Sequence, residues 1–411
     1  MDSRSTQPAT AAAKETLTPV MTLQSQEDRG WTMAYFPDGK RMIGVSFDKT
    51  IRQWDLQAGK EIEEVRDVYE GNLYKAVVSR DGRWVMTSGG GEEHNELKTY
   101  EVETGIVTTF QDSRVISCID ISADGKLLAS GAYFDHTVLV WGMDTGKLVA
   151  GPFESDHFAD AIQFSPDSRK LAVRSEAGKR LEVWDVQTQK PDARVGKLGY
   201  GTVGTRAPMF WTKKGTILAV FNFVFDNDHS KSTTIYEFDA LTLETIGDPF
   251  EGHTDLIYEL ALSFDGTLLA SSSFDKNIKL WSLEPRQLLA SLHVQHKTGF
   301  SNLIFSPDTR QLAYCADDKI FICNTPPDIL ASVRLAPDAQ AIVRICCIYL
   351  IVDVLISSSK VSTPDNSTLN DLLNVHAPLF HSFTLLMHCH CRSLMQPVVL
   401  QTCAASQRRR L

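Results

Sequence analysis

VSFDKTIRQWD, residues 45–55, has a near copy in SSFDKNIKLWS at 272–282. Both read Ser-Phe-Asp-Lys, four residues, then Trp, and they stand 227 residues apart. Duplication accounts for such a pair, and it demands further copies between the two. The search is therefore for a local signal recurring at a fixed step.

A turn supplies that signal. FPDGK places Gly39, SRDGR Gly82 and SADGK Gly125; SPDSR puts Ser168 in the same slot, TKKGT Gly215, SFDGT Gly266 and SPDTR Thr309. The steps are 43, 43, 43, 47, 51 and 43 residues, which makes seven units. The pair at 45 and 272 exceeds five periods of 43 by 12 residues, four inserted before the fifth turn and eight before the sixth. Extra length thus collects around unit 5.

Every unit repeats one grammar. An apolar run ends in Ser/Phe-Pro-Asp-Gly. There Pro presets φ, Asp bonds its own backbone and Gly tolerates positive φ. A second run follows, such as LLASSS or LLASGA, then a short turn carrying Asp. A third run ends in an aromatic residue, as in TIRQW, TVLVW, RLEVW and NIKLW, and a Gly-Lys type turn leads to a fourth. Short β-branched and aromatic runs bounded by Gly, Asp and Ser read as strands. Four antiparallel strands per period of about 43 residues read as a propeller blade.

Over roughly residues 20–335 the chain resembles the WD40 family. Trp54-Asp55 and Trp184-Asp185 are its Trp-Asp pairs, and Gly252-His253 its Gly-His pair. The resemblance implies an all-β, seven-bladed WD40 β-propeller over 19–335. A short arm, 1–18, reads as disordered, and 336–411 reads as an irregular tail in which the period stops. In blade 6 the family's hydrogen-bonded tetrad falls on His253, Ser271 or Ser273, Asp275 and Trp281. A buried Trp brings apolar area but must satisfy its N–H, and a chain of polar groups does so. The set reads as architecture, not as a catalytic triad. Blade 1 keeps Asp48 and Trp54, blade 3 Asp135 and Trp141, blade 4 His157 and Trp184. Blade 7 has His296 and Asp317 with Cys323 in the Trp slot, where blades 2 and 5 put Tyr100 and Tyr236. Blade 6 is therefore expected to be the firmest.

Two segments compete for the outer position of the last blade: PVMTLQ at 19–24 and ILASVRL at 329–335. Closure between distant chain ends removes exposed edges, which favours the first.

Net charge is −10, and the first 330 residues carry −13, since the remainder holds seven basic and four acidic side chains. An acidic body argues against a nucleic-acid partner, whose affinity rests on Lys and Arg neutralising phosphates. The start lacks an apolar secretory segment. Cys118, Cys315 and Cys323 are too scattered for a disulfide framework, which suits the reducing cytoplasm, with the nucleus as the second location. ICCIYLIVDVLI at 345–356 is twelve residues long, short of a membrane span. MHCHC at 387–391 crowds its ligand types too closely for an ordinary zinc centre. Gly199-Tyr-Gly-Thr-Val-Gly204 runs on into TRAPMFW, without the helix start that a phosphate loop needs. No metal or cofactor is expected. Asn366-Ser-Thr is a formal glycosylation sequon.

By the resemblance, loops leading into first strands share a face with those joining second and third strands. The long loops fall there: 196–204 and 225–232 around unit 5, and 89–96 in unit 2. So do Phe47, Phe134 and Phe274, each just before a turn Asp. Aromatics around a concave face are typical anchors for partners. The candidate partner-binding residues are Phe47, Phe134, Phe274, Tyr200, Asp226, Asp228, His229, Glu92 and Glu93. The expectation is a non-catalytic scaffold, a monomeric propeller within complexes, binding proteins or peptides with no nucleic acid and no membrane. One alternative is a ubiquitin-ligase substrate receptor. It is weakened because Gln57 and Gln187 stand where many such members carry Arg. Another is an enzyme or small-ligand binder at the channel mouth, with Asp226, Asp228 and His229 as acid/base groups.

Overall fold

In the computed structural model, residues 17–333 are described apart from 25–30, 47–49, 66–71, 91–94, 111, 113, 133, 156–157, 176–177, 197–204, 206, 224–230, 295–300 and 318. Chain contacts separate a unit Met1–Pro337 from a second, Asp338–Leu411, and the latter lies outside the described residues. So do the arm at 1–16 and both tail motifs.

The seven turn slots share one backbone conformation. Gly39, Gly82, Gly125, Gly215 and Gly266 have φ between 65° and 76°, and Ser168 and Thr309 take the same left-handed turn at 62° and 65°. The turn geometry therefore persists where glycine was lost, at the expense of strain in the two substituted slots. Around these turns the strands pair into seven antiparallel sheets, six of them in sequence order. Blades 1 to 4 span 31–65, 72–110, 116–154 and 159–196; blade 6 spans 257–293. First strands of neighbouring blades adjoin around the axis.

The apolar pattern explains the ring. Second strands are buried on both faces, as Leu268–Ser273 and Trp84–Gly90 are throughout. Fourth strands, such as Lys190–Gly196, are largely exposed. The core is divided into seven clusters, and each draws from two adjacent blades. One joins Leu23, Met33 and Trp54 to Ala313 and Ile322, so blade 7 packs on blade 1 and the ring closes.

Closure uses the N-terminal strand. Pro19–Gln24 pairs antiparallel with the third strand of blade 7, Lys319–Asn324. Of the competing segment, residues 329–333 are instead helical, in a helix over 327–333 whose Ile329 and Val333 pack into the blade 6–7 core.

Blade 5 departs from the expected four strands. Its sheet has three, Phe210–Trp211, Thr216–Val220 and Ile235–Asp239. The outer strand is reduced to the bridges Ile235↔Phe250 and Phe238↔Thr245. Pro208 and Pro249 remove ladder donors beside both edges. The Trp slot of this blade also differs from the sequence assignment. Thr212 N donates to Thr216 O, four residues on, whereas Ser263 N reaches Leu268 O, five on. The hairpin is one residue shorter and its second strand shifts by one. Phe238, fully buried opposite Ile217, thereby takes the place that Trp281 holds opposite Leu269, and Tyr236 does not.

Candidate interaction face

The blade 6 tetrad is assembled as the residues imply. Trp281 Nε1 donates to Ser271 Oγ at 2.9 Å, His253 Nε2 lies 2.8 Å from the same oxygen, and His253 Nδ1 lies 2.7 Å from Asp275 Oδ2. Ser271, not Ser273, is the serine; Ser273 Oγ donates to Asp255 O at 2.8 Å. Ser271 is completely buried, so no substrate reaches its hydroxyl. The arrangement satisfies Trp281 and offers no nucleophile.

What the tetrad holds is a turn. Asp275 also accepts from Thr254 N and Asn277 N, and Lys276 takes a left-handed φ of 65°. Burial alone would raise the Asp275 pKa, but the His253 contact, the His253 charge and these N–H donors bring it down to about 2. Phe274 N donates to Leu256 O at 3.1 Å. The ring of Phe274, 54% exposed, therefore projects from a turn fixed on both sides, and it rests on Tyr258 with centroids 4.7 Å apart. Beside it Lys231 pairs with Asp255 at 2.7 Å and lowers the Asp255 pKa.

Phe134 is 69% exposed in the equivalent turn of blade 3. Antiparallel alternation puts both turns at one end of the ring, called the top here. Blades 4 and 5 lie between them, so they mark separate points of the rim. At the corresponding edge of blade 5, Phe223 packs down onto Tyr236 and the buried Phe238. Phe47, Tyr200, Asp226, Asp228, His229, Glu92 and Glu93 lie outside the described residues, as do Asp48, His157 and His296.

Blade 3 reaches the same end by other residues. Asp135, expected in its tetrad, is exposed. Trp141 Nε1 donates to Ser130 Oγ at 3.0 Å, and Ser130 Oγ donates to Asp112 Oδ2 at 2.9 Å. Arg114 pairs with Asp112 at 2.7 Å and reaches Thr137 O at 3.1 Å. Asp112 thus does the work of the His–Asp pair, with Arg114 as its charge partner. In blade 4 Trp184 Nε1 donates to Glu182 Oε2 at 3.3 Å, and Arg180 and Arg194 neutralise Glu182.

Blades 4 and 5 are stapled across their interface. Arg174, with no exposed surface, pairs with Asp160 at 2.6 Å and donates to Ala207 O at 2.5 Å. Equivalent second-strand positions hold Gly131 and Ser272. The Arg fills space where the first strand of blade 5 is shortest.

No group of three or more metal-binding side chains occurs among the described residues. No helix among them is long and apolar enough to cross a membrane.

The geometry defines a closed seven-bladed propeller with projecting aromatics at one end. A family model, "WD domain, G-beta repeat", matches residues 18–55, 105–142 and 244–282. The matched segments are WD40 repeats centred on blades 1, 3 and 6. It is 25% identical over 241 residues to "WD repeat-containing protein SL1-17" of Schistosoma mansoni, covering 54% of this chain and 73% of that protein. It is 25% identical to "Transcriptional corepressor LEUNIG_HOMOLOG" of Arabidopsis thaliana, covering 47% of this chain and 28% of the relative. Against "Transducin beta-like protein 2" of Mus musculus identity is 26%, covering 51% and 60%. The chain thus spans under a third of the corepressor. Members of this family generally mediate protein–protein interactions and are generally non-catalytic.

Proposed function

We propose that this chain is an interaction scaffold that holds protein or peptide segments against the top of its propeller, without chemistry of its own. The observation that carries the reading is the pair Phe274 and Phe134: large, exposed and set in equivalent turns. The Phe274 turn is immobilised from below by a buried network. An aromatic that loses little freedom on contact is a favourable anchor. Exposing it to water otherwise brings no folding benefit. One relative is named a corepressor, consistent with work through partners. We place the protein in the cytoplasm, as a monomeric propeller within complexes.

The test is affinity purification from a native lysate, comparing the wild type with Phe134→Ala/Phe274→Ala. Both side chains are exposed, so the variant is expected to melt normally while losing partners. A folded variant that retains every partner overturns the proposal.

A further inference from the structure

The opposite end of the ring has a different chemistry. Neighbouring first-to-second-strand turns approach one another around the axis there. A side-chain carbon placed on Gly39 would lie 3.7 Å from Pro307 Cδ, and one on Gly82 would lie 3.1 Å from Pro37 Cδ. Asp124 N donates to Ser168 Oγ at 3.3 Å, and a carbon on Gly266 would touch Lys213 at 4.0 Å. These turns form an inner ring.

Inside that ring opens a cavity of about 510 Å³, lined chiefly by apolar groups that include Pro37, Phe210, Leu262, Phe264, Phe305 and Pro307, with Arg80 at its edge. Phe264 stands where three of the other turns carry Pro and is 70% exposed.

The ring itself is cationic. Its seven turns hold ten Lys/Arg against six Asp, and the turn of blade 5, TKKGT, has two Lys and no acid. The six Asp are turned back into their own backbone. Asp81 accepts from Ser79 Oγ and Arg83 N, and Asp265 from Ser263 Oγ and Thr267 N. Half of the cations are engaged: Arg41 with Asp38, Arg83 with Glu101, Lys170 with Asp185, Lys214 with Glu284 and Arg310 with Asp308. Lys40, Arg80, Lys126, Arg169 and Lys213 are exposed and make no ion pair among the described residues.

Further out the sign reverses. The third-to-fourth-strand turns of blades 1 to 4, 5 and 6 carry eight acidic side chains against four basic. The bottom thus has an apolar centre, a cationic ring and an acidic circumference.

We infer that the bottom of the propeller is a second docking site, for an acidic segment of a partner protein that carries an apolar anchor residue. The anchor enters the cavity beside Phe264, and carboxylates on either side meet Lys213, Arg80 and Lys40. The concentric charge decides the class of partner. An extended polyanion or a flat anionic membrane would cross the acidic circumference and be repelled, whereas a short acidic segment fits within the ring. This site is independent of the top-face reading.

The test is selection of random nonapeptides displayed on phage against the purified full chain, followed by anisotropy titration of the enriched peptides. Enriched peptides are expected to be net negative with at least one aliphatic or aromatic residue. Their Kd should rise at least tenfold in Phe264→Ser and in Lys213→Glu/Arg80→Glu, stay within twofold in Lys213→Arg and in Phe134→Ala/Phe274→Ala, and weaken with salt. All substituted side chains are exposed or at the cavity edge, and unchanged melting of each variant separates lost binding from lost folding. Enrichment of neutral or basic peptides, or of none, overturns the inference, as does a Kd indifferent to the bottom variants. Tighter binding of poly(U) RNA or phosphatidylserine vesicles through the same residues also overturns it, making the ring a polyanion site.

Discussion

Replacing Ser271 by Ala removes one oxygen from the centre of blade 6. Trp281, 2% exposed, loses the acceptor for its indole N–H, and His253 Nε2 loses its partner. Leaving a buried polar group unsatisfied costs about 1–3 kcal/mol. Two orphaned groups, partly relieved by rearrangement, give a loss of about 3 kcal/mol. The neighbouring serine is an internal control. Ser272 is equally buried, and its Oγ has no hydrogen-bond partner among the described residues. Ser272→Ala deletes a hydroxyl whose desolvation is uncompensated, so it should be neutral or stabilising by up to about 1 kcal/mol. Both changes remove the same atoms from adjacent positions of one strand, so propensity and volume cancel. Urea unfolding followed by Trp fluorescence, with unchanged m, gives the difference. If Ser271→Ala lies within 0.5 kcal/mol (roughly the usual scatter of a surface substitution) of Ser272→Ala, the tetrad is not what stabilises this blade.

Three further outcomes are expected. Arg174→Met leaves Asp160 buried without its cation and should cost about 3–5 kcal/mol; Arg174→Met/Asp160→Asn should recover much of that loss by the same urea measurement. Thr309→Gly relieves a left-handed β-branched residue and should gain about 0.5–1 kcal/mol, visible as a higher urea midpoint. Burial pushes the carboxyls of Asp120 and Glu259 up to about 7, against Phe164 N–H at Asp120 and the Lys75 charge at Glu259. Raised folded pKa values favour the protonated, folded form. Their contribution is present below the unfolded values of 3.8 and 4.5 and is lost as pH rises through about 7. Asp120→Asn/Glu259→Gln should therefore flatten the fall in stability between about pH 4 and pH 7, measured by urea midpoints across that range.

Much of this fold could be read directly because its turns are chemically explicit. Asp, Gly or both at one spacing marked all seven hairpins, and Ser168 and Thr309 kept the turn without glycine. His253, Asp275 and Trp281 were equally legible, since each tetrad role needs one residue type. Ser271 and Ser273 were not separable, because both point to the same side of one strand and only contact tells them apart. Blade 5 misled for a local reason. One residue missing from its hairpin shifts the register, so Phe238 and not Tyr236 fills the Trp slot. Blade 3 misled because Asp112 and Arg114 perform the task of His and Asp from an unfamiliar motif. The top-face aromatics were visible through their fixed position before Asp. The aromatic support of Tyr258 beneath Phe274 was not, because it comes from another strand. The bottom cavity depends on side chains from five blades, which no single repeat displays.

The claim that matters most is that the top of the propeller is where partners bind. Placing the photo-crosslinking residue p-benzoylphenylalanine at Phe134, at Phe274 and at Leu148, an exposed side chain on an outer strand, tests it in the native lysate. The account predicts discrete protein adducts from the first two positions, shared between them and absent from the third. Adducts that are equal at all three positions, or found only at Leu148, would contradict it.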